Sequence, residues 1–419
     1  PYAKGGQDNT KEPACAAHTY GKEIVSCEAF TSFGKDDGWT QHPFRLKPYG
    51  DKQFCKGLNE IVFHRYAHQP DDRFPGMSLG QFGLNFDRTL TWWEQGRSWI
   101  DYLTRCQHML RQGRFHAEVL YYYGRDVPNS AGYFVPDALN DRDVMKPVLP
   151  AGYDYDVCDA TIFGQIKVEN GEVILPSGMR YRYLVLPDHA RLTPADVEKI
   201  KALAETGATL IGPAPTHSPS LTGFPEADQT VRTLASEIWP ADGKPGERRV
   251  GNGRVISGST FEQILAADGL IPDFAVKGAA DASIRYIHRI LPEGDMYFVC
   301  NLQDRTEPVT LQFRVTGRSV GVWDAVTGTI TENIAATDDG KTTSVTLPLQ
   351  PHESLFFVFT NKNAKASPAV AFREDRPSTS TPVEGSWTVT FPPNLGAPAE
   401  PMTFEQIADF CGMHVLEVQ

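Results

Sequence analysis

The chain has 419 residues, a formal net charge of −12, 41% apolar residues and 22% charged residues. This composition is that of folded globular protein, and the length predicts roughly two to four domains. No lysine- or arginine-rich run offsets the acidity, which argues against a nucleic-acid partner, and no apolar stretch reaches the about 18 residues that a membrane span needs.

The first residue is Pro1, with neither an initiator Met nor a signal peptide, so the N-terminus reads as processed or truncated. Residues 23–30 and 59–66 are two short runs rich in β-branched and aromatic residues, each turning polar at its C-terminal end. A long aromatic loop follows, and then Thr91-Trp92-Trp93-Glu94 reads as a capping box opening a helix that Gly113 stops. Strand, loop, strand, loop, helix is how a β/α (TIM-type) barrel ends. Residues 1–113 are therefore expected to be the C-terminal part of such a barrel, too short to close without the roughly 250 residues a whole one takes.

Residues 114–248 alternate strand and helix. Ala117–Tyr123 and Tyr183–Pro187 are near-continuous apolar runs, as expected of strands covered on both faces. Lys167–Leu175 carries Asn170-Gly171 at its centre and predicts a tight hairpin. Thr193-Pro194 opens a helix, Gly207 ends it, and residues 208–212 form the next strand of a doubly wound α/β domain. Residues 249–362 change to short alternating strands, the pattern of a β-sandwich. Residues 363–384 read as a Pro/Ser/Thr-rich linker, and 385–419 begin a further strand but are too few for a domain. That short ending again predicts a fragment.

The sharpest chemical candidate is Glu28, at the C-terminal end of the first strand run and near Phe30, Phe33 and Trp39. In β/α barrels catalytic side chains project from strand C-termini, and a carboxylate walled by aromatics suits glycosidic chemistry. The competing reading is a structural glutamate paired with Arg65 or a backbone amine. His64, Arg65 and His68 end the second run and are too polar as a group for a core, so they predict a pocket lining. Asp87 either pairs with Arg88 to shape its loop or reaches a sugar. Asp154 and Asp156 lack the frame of a calcium loop and read as a helix cap or loop brace. The seven cysteines are scattered, without a C-x-x-C pattern, and read as buried free thiols. The α/β domain lacks the cysteine elbow of a class I amidotransferase.

The segments SCEAFTS (26–32), EIVFHRYAHQP (60–70), PGMSLGQFGLNFDRTLTWWEQ (75–95), AEVLYYYGRDVPN (117–129), AGYDYDVCDA (151–160) and GSWTVTFPPNLGAP (385–398) closely resemble, in order, glycoside hydrolase family 106. The resemblance implies a multidomain α/β plus β protein. Its parts would be the end of a catalytic barrel, a Rossmann-like (amidotransferase-like) α/β domain, a β-sandwich and the opening of a galactose-binding-like β domain. It implies an α-L-rhamnosidase acting on a rhamnose-containing carbohydrate by inversion, with Glu28 as general base and His64, Arg65 and His68 lining the sugar pocket; Trp39 and Asp87 join them as substrate-binding candidates from the residue reading alone. The second carboxylate would come from an earlier barrel strand, so the chain alone is expected to be inactive. The resemblance also implies a periplasmic or extracellular location and a possible calcium ion, whose ligands do not map onto particular residues. Two alternatives stand beside it: another exo-glycosidase of β-galactosidase or glucuronidase type, and a non-catalytic carbohydrate-binding protein.

Overall fold

The structure is a computed structural model that describes residues 10–31, 40–72, 76–77, 82, 86–125, 149–188, 191–240, 245–361, 380–391 and 398–406. The chain divides into two compact units, residues 1–67 with 79–372, and residues 68–78 with 373–419.

The larger unit begins with helix α1 (Lys11–Tyr20), strand β1 (Ser26–Ala29), helix α2 (Pro43–Phe54), strand β2 (Glu60–Phe63) and helix α3 (Arg97–Leu110). Strands β1 and β2 pair in parallel, Ser26 opposite Glu60 through Ala29 opposite Phe63. Alternation then sorts their side chains: Cys27, Ala29, Ile61 and Phe63 pack into the core, while Glu28 and Val62 stand on the other, exposed face. Helix α2 starts at Pro43, whose missing N–H costs nothing in a first turn. Helix α3 buries Trp99, Tyr102, Leu103, Cys106 and Leu110 on one stripe.

Helix α3 does not start at the Thr91 capping box as the sequence suggests. Residues 91–96 form successive tight turns, with the Trp93 N–H donating to Leu90 O at 3.1 Å and the Gly96 N–H to Trp93 O at 3.0 Å. The organising residue is Asp87, whose Oδ1 accepts the Thr89 N–H at 2.8 Å and its hydroxyl at 2.6 Å. The tighter winding lets Trp92 donate its indole N–H to Gln41 O at 3.0 Å and places Phe86 between Trp92 and Trp93, at 5.5 and 5.2 Å between ring centres. Packing three aromatic rings outweighs one more helical turn.

The two-residue strand β3 (Arg114–Phe115) leads into a six-stranded sheet ordered Gly246–Val250, Gly253–Ser257, Thr209–Ile211, Tyr183–Val185, Val119–Tyr122, Tyr155–Cys158. All neighbours are parallel except the edge strand Gly246–Val250. Hairpin Lys167–Glu169/Glu172–Ile174 turns on Asn170 (φ 54°) and Gly171 (φ 84°), the double left-handed backbone that an Asn-Gly turn supplies. Helix Pro194–Thr206 is capped by the Thr193 side chain, which accepts the Asp196 N–H, and ends at Gly207.

Two antiparallel sheets form the sandwich. One is ordered Phe274–Lys277, Glu307–Phe313, Thr343–Leu349, Thr337–Asp338. The other is ordered Ile330–Thr331, Arg318–Trp323, Ser354–Asn361, Gly294–Asn301, Ile284–Leu291, with β3 at its edge. Phe313, Tyr297, Phe357 and Phe359 fill the space between them. Two segments cross the divisions expected from sequence: the α/β sheet extends past residue 248 to Ser257, and Arg114–Phe115 pairs with the sandwich.

In the smaller unit, Trp387–Val389 pairs antiparallel with Met402–Phe404. There the Gln69 side chain accepts the Met77 N–H at 2.7 Å and donates to Met77 O at 2.8 Å. Much of the expected linker 363–384 and of the segment 385–419 lies outside the described residues. Among the described residues, no helix is long and apolar enough to cross a membrane.

Candidate active site

The C-terminal ends of β1 and β2 lie side by side, tied by the His64 N–H donating to Ala29 O at 3.0 Å. Glu28 is the last outward-facing residue of β1, on the side of the strand pair away from the packed core. Thr31 donates its hydroxyl to Glu28 Oε1 at 3.4 Å, and no ion pair to Glu28 occurs among the described residues. The structural alternative, a Glu28–Arg65 pair, is thus not what the described residues form. A carboxylate held by one weak hydroxyl contact keeps most of its lone pairs for water or a sugar hydroxyl.

His64 and Arg65 follow β2 directly, joined by a cis peptide bond. His64 Nδ1 and Arg65 Nε are buried with no hydrogen-bond partner among the described residues, whereas Arg65 O accepts the Phe86 N–H at 3.1 Å. Two buried polar nitrogens without partners at a strand end are what a polar ligand or bridging water would satisfy. Phe63 stacks on Phe86 at 4.8 Å, and Tyr66, 63% exposed, lies 6.2 Å from Trp93 between ring centres. Tyr66 and Trp93 are not among the residues the sequence singles out; a tyrosine directly after the polar strand end is the signal that could have drawn attention to this aromatic pair.

The remaining candidates fall elsewhere. Trp39 lies outside the described residues. Asp87 is 1% exposed and braces the turn at Thr89, which favours its loop-shaping role. His68 belongs to the smaller unit and is exposed there. Asp154 and Asp156 brace helix α1: Lys11 Nζ donates to Asp154 Oδ1 at 2.6 Å, and the buried Asp156 carboxylate contacts His18 Nδ1 at 2.9 Å and accepts the Tyr181 hydroxyl at 2.8 Å.

Away from Glu28, strand Ile284–Leu291 and its neighbours gather His116, Glu118, Asp273, His288, Asp295 and Arg314. His288 Nδ1 lies 3.1 Å from both Asp273 oxygens and its Nε2 lies 3.1 Å from Asp295 Oδ1. Burial alone would lower the His288 pKa, but the two carboxylates raise it to about 9. Burial would conversely raise the Asp273 pKa, yet His288, His116 and Arg314 hold it well below the usual carboxylate range. Among the described residues, His116, Asp273 and His288 are the one group close enough to share a metal ion. Calcium takes about six to eight oxygen ligands. This group is rich in nitrogen, and Arg314 Nη2 already stands 3.2 Å from His116 Nε2 and 3.4 Å from Asp273 Oδ1 while also donating to Glu118. This group therefore does not fit calcium, and the arrangement works as a closed network of buried charges.

The alpha-L-rhamnosidase model of glycoside hydrolase family 106 matches residues 2–336. A Formosa agariphila protein provisionally named a beta-glucuronidase is 34% identical over 366 residues, which are 87% of this chain and 29% of that protein. The structure of a rhamnosidase from Novosphingobium sp. PP1Y superimposes with a TM-score of 0.82 at 32% identity, covering 98% of this chain and 38% of that one. The chain thus spans well under half the length of either relative. By sequence match and by shared fold, it belongs to glycoside hydrolase family 106, the alpha-L-rhamnosidase family.

Proposed function

We propose that β1, β2 and their helices are neighbouring members of a catalytic β/α barrel, and that Glu28 is the general base in the inverting hydrolysis of a terminal α-L-rhamnoside. The observation that carries this reading is the position of Glu28: the C-terminal end of a parallel strand, on the face turned away from the helices, with little to neutralise it. In a closed barrel that face points inward. Glu28 would take a proton from water as it attacks the anomeric carbon, while a second carboxyl group about 6.5–9.5 Å away protonates the leaving oxygen. Glu60 is not that acid, since it sits at the opposite end of β2 and accepts a hydrogen bond from Arg111 at 2.8 Å. The unpartnered ring nitrogen of His64 and the Nε–H of Arg65 suit sugar hydroxyls, and Tyr66 offers a ring face to sugar C–H bonds. Trp39 is a further proposed contact, whereas the buried Asp87 braces its turn. The family also supports a role in polysaccharide breakdown outside the cytoplasm.

The name of the Formosa relative favours one second reading, an exo-glycosidase of glucuronidase type on the same scaffold. The test uses the enzyme at the full length of its relatives, with aryl α-L-rhamnoside, β-glucuronide and β-galactoside as substrates. Turnover of the rhamnoside, falling about 10²–10⁴-fold in Glu28→Gln with KM little changed, is the expected result. Preference for the glucuronide would replace the substrate. Undiminished turnover in Glu28→Gln would remove Glu28 from the chemistry, and sugar binding without turnover of any substrate would favour a carbohydrate-binding protein.

A further inference from the structure

Between the C-terminal end of α1, the turn at Gly113 and the loop at Ser177 lies a cavity of about 280 Å³, apart from the Glu28 strand ends. Its lining includes Lys22, Arg111, Arg114, Ser177 and Arg289, with Glu23 as the acidic member. In a chain of net charge −12 such a concentration of cations needs a reason.

Arg289 is the key to it. Its side chain is almost fully enclosed, the residue being 8% exposed, and no carboxylate pairs with it among the described residues. Its Nε donates to Gln112 O at 2.5 Å and its Nη2 to Gly113 O at 2.9 Å, leaving Nη1 without a protein acceptor among them. Burying a cation costs several kcal/mol unless a counter-charge offsets it, and two carbonyl dipoles offset only part. Burial lowers the Arg289 pKa to about 10, a sign of that missing partner. Other enclosed cations of the same unit have theirs: Lys47 has Asp51, and Arg314 has Glu118.

A second observation points the same way. Ser177 lines this cavity, and its Oγ is buried with no hydrogen-bond partner among the described residues. Arg114 stands exposed at the edge, donating to Gly178 O, and Lys22 is exposed beside it with no ion pair among the described residues. Arg111 is already engaged by Glu60 and Asn59 O, and His18 by Asp156. The free donors are therefore Arg289, Ser177, Arg114 and Lys22.

We propose that this cavity is an accessory oxyanion site. It would take one carboxylate or sulfate group, with the Arg289 fork and the Ser177 hydroxyl at the bottom and Arg114 and Lys22 at the mouth. A guanidinium fork matches two oxygens of such a group, and a hydroxyl completes the set. The volume lies near the lower end for small-molecule pockets, which fits a single anion or one acidic sugar residue. The site does not depend on the role of Glu28, and its test needs no turnover.

The 419-residue chain is titrated calorimetrically with sodium sulfate, sodium glucuronate and glucose at constant ionic strength. The wild type, Arg114→Gln, Ser177→Ala and Arg289→Met are compared. Saturable binding of sulfate or glucuronate, with glucose silent, is expected. Affinity should fall roughly tenfold or more in Arg289→Met and severalfold in Arg114→Gln and Ser177→Ala. Glucuronate binding above sulfate would identify a sugar-borne carboxylate as the ligand, and the reverse order a free oxyanion. The exposed Arg114 and small Ser177 changes keep the test valid if Arg289→Met fails to fold. The proposal is wrong if neither anion saturates, if glucose binds as well as glucuronate, or if Arg114→Gln and Ser177→Ala both bind like wild type.

Discussion

Replacing Asp51 with Leu isolates a charge deep inside the larger unit. Lys47 Nζ donates to Asp51 Oδ2 at 2.6 Å, to Ser354 Oγ at 2.5 Å and to His352 O at 2.8 Å. Asp51 is completely enclosed and Lys47 is 9% exposed, so water cannot take over the lost contact. Tyr102, which donates to Asp51 Oδ1, keeps only its 2.9 Å contact with Ser354. Breaking one side of a buried ion pair costs about 3–5 kcal/mol, whereas replacing both sides by apolar groups is often close to neutral. Asp51→Leu should therefore destabilise the chain by about 3–5 kcal/mol, and Lys47→Met/Asp51→Leu should recover at least about half of that. Reversible urea unfolding of the wild type, both single variants and the double variant gives the comparison, with equal slopes required before midpoints are converted. A cost below about 1 kcal/mol for Asp51→Leu, or a double variant no more stable than it, would refute the reasoning.

His288 should show itself in the pH dependence of stability. Its folded pKa is raised from 6.5 to about 9, so its contribution is complete below pH 6.5 and lost as pH rises to about 9. The melting temperature should fall across that window in the wild type, while His288→Gln starts lower and lacks that part of the decline. An equal slope in the two proteins would contradict this. Among the described cysteines, alkylation should reach Cys27, which is half-buried, before Cys15, Cys55, Cys106, Cys158 and Cys300, which are all buried. Burial also pushes the Cys15, Cys55, Cys106 and Cys158 thiols up, so little reactive thiolate is present. Iodoacetamide labelling located by peptide mass spectrometry would count against the assignment if Cys55 or Cys300 reacted as fast as Cys27.

What the sequence revealed was mostly local. Asn170-Gly171 announces its hairpin because few residue pairs accept two successive left-handed conformations, and Thr193-Pro194 with Gly207 marks both ends of its helix. The sandwich strands were visible because their two-residue alternation repeats between turns. The Thr91 capping box misled, since Asp87 and the packing of Phe86, Trp92 and Trp93 decide the winding there. The Lys47–Ser354 contact joins residues 307 positions apart, and nothing near Lys47 points to its partner. The same limit hid the cavity around Arg289, whose cations come from three separate segments. Glu28 was legible as a strand-end acid among aromatics, but which face it occupies needed the pairing of β1 with β2.

Strand β3 has a bearing on how such chains can be cut and recombined. Its two residues pair with Arg289 and Ile290, Phe115 stacks on His18 of α1 at 4.4 Å between ring centres, and four residues later the chain enters the α/β sheet at Val119. Three layers thus share one short seam. Severing the chain at Gly113, the obvious border by sequence, would leave β3 without its α1 packing and put its pairing with Ile284–Leu291 at risk. An unpaired sheet edge of that kind invites pairing with other chains. Exchange of parts among related enzymes should therefore tolerate crossovers inside the sandwich hairpins, such as the exposed Asp339–Lys341 turn, more readily than a clean break between the β1–β2 pair with its helices and the α/β sheet.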